Sequence, residues 1–389
     1  MPRPFPLLAI FLLAVALLFP APGACADHNV GLRTIGHTDA SRGLRLDVNV
    51  WYPTAKAPRR QRFPPWDLMG ARDAKPLPGP FPLLLLSHST AGNRFTYHDT
   101  ALALAEAGFV VAAPTHPGDN MDNMPDLYSW RQLSPRVTEL SALVDVLEAD
   151  GELGPSIDRN RIGALGFGSG ATTVLLLGGA LPDCAEWEQF CREGREEEDT
   201  GIYCNAWVRP RIGQRLCTAL PLTKSPADTR IRAVAAIDPD FAMLFTQKSL
   251  RWFAPPLLLV TAARERTNPA RATARLATLF PVPPKRLSLE QADAGALMAP
   301  CPEALAEELP ELCRSCSEEE RRSTHAALVA ALVDFFQDRL VKRPPAVIPP
   351  PPDLAPRKEK PVTKSATPRR SGSRRGARSS RESRESGRR

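Results

Sequence analysis

Short apolar runs and helical spacings of apolar residues alternate along this chain from about residue 80 to residue 340. Strongly apolar runs are typical of strands that are buried on both faces of a sheet. They occur at residues 82–87, 108–114, 161–165, 234–237 and 256–261, and a last short strand is predicted at 286–290. Before them, residues 31–53 are predicted to form a two-stranded β unit, because Leu44, Leu46, Val48 and Val50 alternate with polar residues and residues 39–43 supply the turn.

Helical spacing separates these predicted strands. It covers residues 99–107, 137–147, 171–177 and 317–340, and Ser317 with the acidic residues 318–320 forms a typical helix start. Residues 54–80 are basic and proline-rich, so we predict a loop there. Strands that alternate with helices indicate the α/β class, with a mainly parallel sheet that carries helices on both faces.

The first 26 residues have the pattern of a signal peptide. Arg3 precedes an apolar stretch at 7–19 that is short for a membrane span, and Ala24-Cys25-Ala26 offers an A-x-A cleavage site. An alternative is lipid attachment at Cys25, although the three residues before it include no large aliphatic side chain. No later segment is apolar for long enough to cross a membrane. The sequence therefore predicts a secreted or periplasmic protein.

The positive net charge of +7 comes from the C-terminus. Residues 342–389 contain 15 Lys and Arg against 4 Asp and Glu, with many Pro and Ser and almost no large apolar residues. Such a segment cannot bury enough surface to fold, so we predict a disordered tail. It is either a solvated extension or a means of electrostatic attachment to an anionic surface or polymer.

Seven cysteines remain after the predicted signal peptide. In an oxidising compartment disulfides are the expected state, and the odd number predicts one thiol left over. Four cysteines lie in residues 181–230, which we interpret as an inserted cap, and the simplest pairing by closeness in sequence is Cys184–Cys191 and Cys204–Cys217. Other pairings stay open. Zinc binding by Cys313 and Cys316 is an alternative, but no second ligand pair accompanies them, and we predict no metal.

Residues 161–177 predict a strand, a glycine-rich turn and a helix, which is the local context of a nucleophile elbow. With this turn, the chain resembles the dienelactone-hydrolase-like branch of the α/β hydrolases, which includes the platelet-activating-factor acetylhydrolase group. The resemblance covers about residues 30–340. The stretches that carry it are residues 39–53, 86–92, 108–118, 157–170 and 299–313.

The resemblance implies an α/β-hydrolase fold over residues 27–341 and a carboxylic-ester hydrolase without a cofactor. It also implies a Cys301–Cys313 crosslink, which leaves Cys316 spare. In such enzymes a serine attacks the ester, a histidine takes its proton, and two backbone N–H groups hold the oxyanion. Those N–H groups are predicted at Ser169 and Thr90.

The residues at the catalytic positions depart from this pattern. With Gly166 as the first glycine of the elbow, the nucleophile position is Gly168, and Ser169 one residue later is the fallback nucleophile. The histidine position, counted back from Ala-Pro-Cys301, is Ala294. Glu265 falls at the position of the acid, with Asp238 and Asp240 as alternatives. His325 in the last helix is predicted to have a structural role.

Three functions follow from this sequence. The first is a secreted protein with an impaired or inactive site that binds a small ester or lipid-like ligand, or a partner. The second is an active serine esterase that uses Ser169. The third is an interaction protein that attaches to a surface through its basic tail.

Overall fold

The computed structural model describes residues 28–39, 42–184, 187–194, 201–217, 227–264 and 270–342. The predicted signal peptide and, apart from Lys342, the predicted tail lie outside these residues. The strands are β1 (Asn29–Asp39), β2 (Leu44–Thr54), β3 (Arg59–Phe63), β4 (Trp66–Arg72), β5 (Phe81–Ser87), β6 (Val110–Pro114), β7 (Ile157–Phe167), β8 (Ile231–Ile237), β9 (Leu257–Ala262) and β10 (Lys285–Leu289). The α-helices of these residues are α1 (His98–Glu106), α2 (Trp130–Ala149), α3 (Ser169–Leu177), α4 (Trp187–Glu193), α5 (Val208–Arg211), α6 (Gln247–Leu250), α7 (Ala270–Leu279), α8 (Ala294–Leu297), α9 (Glu303–Glu308), α10 (Pro310–Cys313) and α11 (Glu318–Phe336).

The described strands form one sheet in the order β10-β9-β8-β7-β5-β6-β2-β1-β4-β3. The six strands from β10 to β6 run parallel to one another, whereas β2 is antiparallel to both of its neighbours. Alternate residues of β5 enter two different apolar cores. Leu83 packs with residues of α2 and α3, while Leu84 packs with residues of α1 and α11. Helices thus cover both faces of a mainly parallel sheet, as predicted.

The prediction of a loop over residues 54–80 was wrong. This segment contains the hairpin of β3 and β4, which pair antiparallel at the edge of the sheet. Edge strands tolerate charged residues and proline, because one side of the strand needs no partner in the ladder. In β4 the side chains of Trp66 and Leu68 are buried while Asp67 and Met69 are exposed, which is the alternation of a half-buried strand.

Among the described residues, three disulfides join Cys184 to Cys217, Cys191 to Cys204, and Cys301 to Cys313. The last bridge was implied by the resemblance, and Cys316 is a free thiol, as expected. Pairing the other four by closeness in sequence was wrong. Cys191 lies within α4, which carries it along the helix axis away from Cys184, and the returning chain supplies both partners. The bridges are therefore nested. Because Cys313 is oxidised, it is not a zinc ligand here.

The central strands end side by side. In the parallel ladders Ser87 at the end of β5 is level with Gly166, and Phe167 is level with Ile237 at the end of β8. Open parallel sheets bind ligands outside the carboxyl ends of their strands. This edge is therefore where a site is expected. Across the described residues, none of the helices combines the length and the apolar composition that crossing a bilayer requires.

Candidate active-site cleft

A sharp turn joins β7 to α3, and two glycines make it sterically feasible. A Cβ on Gly166 would lie 2.2 Å from the carbonyl oxygen of Gly170, and one on Gly170 would lie 2.1 Å from the carbonyl oxygen of Ser87. Real Cβ atoms do not approach backbone atoms this closely, so both positions require glycine. These two positions are four residues apart, like the outer glycines of a Gly-x-Ser-x-Gly elbow.

Gly168 is the central residue of this turn. Its φ of 55° and ψ of −118° are strained for any residue with a side chain, and it is the N-cap of α3. A Cβ on Gly168 would lie 3.2 Å from Asp240 Oδ2 and 3.2 Å from the Cβ of Ser89. A side chain would therefore project over the ends of the strands. The predicted nucleophile position carries no side chain at all.

Ser169 is the first residue of α3, and its side chain is completely buried. Its hydroxyl oxygen has no hydrogen-bond partner among the described residues, and Ser169 does not line the cleft described below. The N–H groups of the first helical turn have no partner within a helix. The role of the Ser169 N–H as an oxyanion donor stays a prediction.

The loop after β5 carries the second predicted oxyanion donor, Thr90. The Thr90 hydroxyl donates to Asp240 Oδ2 at 3.3 Å and accepts a hydrogen bond from Gln132 Nε2 at 2.9 Å. Arg136 on α2 holds the loop from beneath, because its guanidinium donates to the carbonyl oxygen of His88 at 2.6 Å and to Asp119 Oδ2 at 2.6 Å. The loop is thereby fixed against α2.

Ala294, at the predicted histidine position, is the first residue of α8. The helix begins after Asp293, whose Oδ1 accepts hydrogen bonds from the Ala296 N–H at 2.8 Å and from the Ser315 hydroxyl at 2.9 Å. Ala294 lines the same cleft as Gly168. A methyl side chain cannot accept a proton, so this position supplies no general base.

His325 does not replace the missing histidine. On α11 its Nδ1 lies 2.7 Å from Asp99 Oδ2, and its Nε2 lies 3.0 Å from the carbonyl oxygen of Met298. Both ring nitrogens are thus engaged between helices. His325 is also absent from the described lining of the cleft, consistent with its predicted structural role.

The three candidate acids have different outcomes. Glu265 lies outside the described residues, so its prediction is untested. Asp238 and Asp240 follow β8, are 6% and 8% exposed, and line the cleft. Asp240 is anchored through its backbone, because its N–H donates to the carbonyl oxygen of Gly168 at 3.0 Å. The sequence pattern placed these two aspartates at a strand end but did not show that they face the elbow.

The cleft over the strand ends has a volume of about 300 Å³. Its floor contains Gly168, Asp238 and Asp240. The walls are mainly apolar, and they comprise Trp66, Tyr97, Phe167, Ala294, Met121, Met124, Met298, Leu297, Leu305, Leu309 and Leu312. Sequence reasoning missed most of these wall residues, because they come from the hairpin, from loops and from short helices that lie far apart along the chain.

A buried chain of hydrogen bonds beneath the loop repeats the residue types of a catalytic triad. Ser87 Oγ lies 2.9 Å from His116 Nε2, and His116 Nδ1 lies 2.7 Å from Glu139 Oε2. Ser87 and His116 are completely buried, and Arg42 pairs with Glu139. No substrate can reach this serine in the fold. The chain holds the ends of β5 and β6 to α2.

The neighbouring His88 has a defined tautomer. Its Nε2 accepts the backbone N–H of His116 at 3.0 Å, so its Nδ1 carries the proton that is donated to the carbonyl oxygen of Ser89 at 2.7 Å. Burial, and then the charge of Arg136, hold the pKa of both His88 and His116 well below the ordinary value of 6.5. Both rings are therefore neutral in the folded protein.

We expect the free energy of unfolding to fall as the pH is lowered from about 7 to about 5. Below pH 6.5 both histidines become protonated in the unfolded chain, whereas buried His88 and His116 stay neutral in the folded protein. Each histidine therefore lowers the free energy of unfolding by about 1.4 kcal/mol per pH unit until the pH reaches its folded pKa. Burial raises the pKa of Glu139, which opposes this loss in part. Urea unfolding at three pH values measures the slope. A free energy of unfolding at pH 5 that equals or exceeds the value at pH 7 would contradict the conclusion that both histidines are neutral in the folded protein.

The comparisons with known proteins agree on the architecture alone. No protein-family model matches the chain, and no curated protein matches it. Among solved structures, a ferulic acid esterase from Streptomyces cinnamoneus aligns with a TM-score of 0.56 and 19% sequence identity, over 85% of this chain and 95% of that one. This chain has the α/β-hydrolase fold. The predicted fold class is thereby confirmed, whereas the dienelactone-hydrolase-like branch stays a prediction.

The resemblance predicts the nucleophile in the turn between β7 and α3 and the histidine in the loop after β10. The structure brings these two predicted positions, Gly168 and Ala294, to one cleft. It also brings Thr90 there. The catalytic roles of these positions stay predictions.

Proposed function

We propose that this protein binds a small ligand in the cleft of an ester-hydrolase fold and does not carry out serine hydrolase chemistry. The observation that carries the proposal is that Gly168 and Ala294 line one cavity at the positions of the nucleophile and the base. Glycine has no atom that can attack a carbonyl, and alanine cannot take a proton. Without both groups, only the weak contribution of binding and of oxyanion donors remains.

An active esterase that uses Ser169 is the competing function. Its hydroxyl would have to leave a fully buried position at the start of α3 to reach a substrate. Gly166 and Gly170, where a Cβ would clash with backbone atoms, support a turn centred on Gly168 instead. We therefore assign to Ser169 the role of a backbone donor, together with Thr90, for an oxygen atom of the ligand.

The ligand class follows from the cleft. A volume of about 300 Å³ is at the lower end for sites that hold small organic molecules. Apolar and aromatic walls fit the ester or lipid-like class that the resemblance implied, and the structural neighbour is named a ferulic acid esterase. Methyl ferulate is accordingly a suitable first probe, as an ester to be bound without being cleaved.

Export from the cytoplasm remains part of the proposal. Three disulfides are typical of proteins in oxidising compartments, which supports a secreted or periplasmic location. Attachment of the tail to an anionic surface stays a prediction from its composition. Deleting residues 343–389 and measuring retention on anionic vesicles tests it.

We expect a fluorophosphonate probe, which tags activated serines, to leave the wild-type protein unlabelled. The Gly168→Ser/Ala294→His double variant restores a nucleophile and a base at their positions and should gain labelling, along with slow cleavage of methyl ferulate. Ser169→Ala is the matched control and should behave like the wild type. Gel fluorescence and product release measure the two results.

Labelling of the wild type that disappears in Ser169→Ala would overturn the proposal and make the protein a serine esterase with a displaced nucleophile. Labelling that persists in Ser169→Ala would point to another serine. Binding of methyl ferulate by the wild type without turnover, followed by calorimetry, supports the proposal directly.

A further inference from the structure

The polar group that meets a ligand at the elbow is a carboxylate oxygen. Asp240 Oδ2 lies 3.2 Å from the point where a Cβ on Gly168 would stand. In a serine hydrolase the nucleophilic hydroxyl projects from that same Cβ. With glycine at this position, the side chain of Asp240 borders the space that the serine would take.

Asp240 is held in place from several sides. Its N–H donates to the carbonyl oxygen of Gly168 at 3.0 Å, and its own carbonyl oxygen accepts the hydroxyl of Thr172. The hydroxyl of Thr90 donates to Oδ2 at 3.3 Å. These contacts fix the backbone and one carboxylate oxygen, so the group is positioned before a ligand arrives. Preorganised groups lose little entropy when a ligand binds.

A second carboxylate lies on the same floor. Asp238 is 6% exposed and has a φ of 48°, with its N–H donating to the carbonyl oxygen of Val260 at 2.8 Å.

The walls above this floor suit an apolar body. Phe167 and Tyr97 stack with ring centroids 3.7 Å apart and form a flat side of the cleft. Met121 and Met124 are 38% and 42% exposed at its lining, where flexible side chains can adapt to a ligand. The cleft is therefore apolar along its sides and acidic at its base.

We infer that the cleft binds amphipathic molecules with a cationic or hydrogen-bond-donating head, an amine or an alcohol, and that Asp240 and Asp238 receive this head. The inference rests on the proposed binding function and specifies its ligand. Carboxylate oxygens accept hydrogen bonds, so they gain nothing from a second carboxylate. An ammonium or hydroxyl group instead donates to them, and such charge-assisted hydrogen bonds are among the strongest.

The test uses three molecules with one apolar body and different heads, namely 4-phenylbutylamine, 4-phenylbutanol and 4-phenylbutyrate. We expect calorimetry on the full-length wild type to give the tightest binding for the amine, at least about tenfold tighter than for the carboxylate, with the alcohol between them. Asp240→Asn should weaken the amine and strengthen the carboxylate. Asp145→Asn, which changes an exposed carboxylate on α2, should leave all three affinities unchanged.

A carboxylate that binds as tightly as the amine would overturn the inference, and so would an order of affinities that Asp240→Asn does not alter. Binding of none of the three molecules would overturn it as well. The fluorophosphonate experiment is independent of these outcomes. Labelling of Ser169 would refute the proposed function even if the amine were preferred, and an unlabelled protein that prefers the carboxylate would refute only the inference.

Discussion

Replacing Gly170 with alanine is expected to abolish stable folding. The new Cβ would lie 2.1 Å from the carbonyl oxygen of Ser87 and 2.6 Å from that of His88. Both are backbone atoms, one at the end of β5 and one in the loop after it that Arg136 holds in place, so they cannot move aside as a side chain would. We expect a loss of at least about 4 kcal/mol, more than the roughly 1–3 kcal/mol usual for overpacking, because the new atom meets backbone that cannot repack.

Gly168→Ala is the matched control within the same turn. Its Cβ would meet the side chains of Asp240 and Ser89 at 3.2 Å, and its φ of 55° is strained for alanine. A residue in this region costs about 1–3 kcal/mol, so the variant should fold with reduced stability. Urea unfolding and soluble yield measure both variants. Equal stabilities would contradict the steric argument that centres the elbow on Gly168.

Asp119→Ala should lower the free energy of unfolding by about 3–5 kcal/mol, because it leaves the buried charge of Arg136 without its carboxylate partner. The two side chains are each 2% exposed, and the Arg136 Nε already lacks a hydrogen-bond partner among the described residues. Asp119 Oδ1 also accepts the N–H of Ala91 at 3.3 Å. Loss of the carboxylate therefore loosens the loop that carries Thr90.

An exposed ion pair provides the comparison. Arg60 and Asp67 lie 2.7 Å apart on the hairpin with side chains 74% and 36% exposed, so Asp67→Ala should cost less than about 1 kcal/mol. Adding Arg136→Met to Asp119→Ala removes the stranded charge and should recover part of the loss. Strict additivity of the two changes would show that the buried pair is not coupled.

The strands that enclose the core were predictable from the sequence because burial on both faces leaves an unbroken apolar run. The hairpin of β3 and β4 was not, because its strands form the edge of the sheet and carry arginines and prolines that resemble a loop. Because the hairpin was not predicted, a residue that lines the cleft was missed as well. Trp66 on β4 lines the cleft, and no local pattern connects it with Gly168, about 100 residues away along the chain.

The candidate site was predictable where steric rules are local. Gly166 and Gly170 set the register of the elbow, and their Cβ clashes give the physical reason for the alignment that placed Gly168 between them. Position Ala294 followed from its distance to Cys301. The place of Asp240 at the base of the cleft was harder to predict from the sequence. Only the folded turn shows that Asp240 borders the space that a side chain at position 168 would take.

Long-range partners were beyond sequence reasoning. The bonds from Ser87 to His116 and from His116 to Glu139 span 29 and 23 residues, and nothing in the spacing selects these partners over others. The pairing predicted for the four cysteines between residues 181 and 230 was wrong for the same reason. Closeness in sequence favours short loops in an unfolded chain, whereas the fold of α4 and the returning segment decided which cysteines met.

Gly168 also bears on whether the binding protein that we propose could gain hydrolase chemistry through evolution. A serine at position 168 would reimpose the backbone strain that glycine relieves, and it would do so before any benefit appears, because position 294 still lacks a base. The Gly168→Ser step therefore lowers stability without raising the reaction rate. The serine would bring a benefit only once a base is present at position 294, or would first need stabilising substitutions elsewhere. The unstrained turn thus disfavours a change toward hydrolase chemistry in the binding protein that we propose.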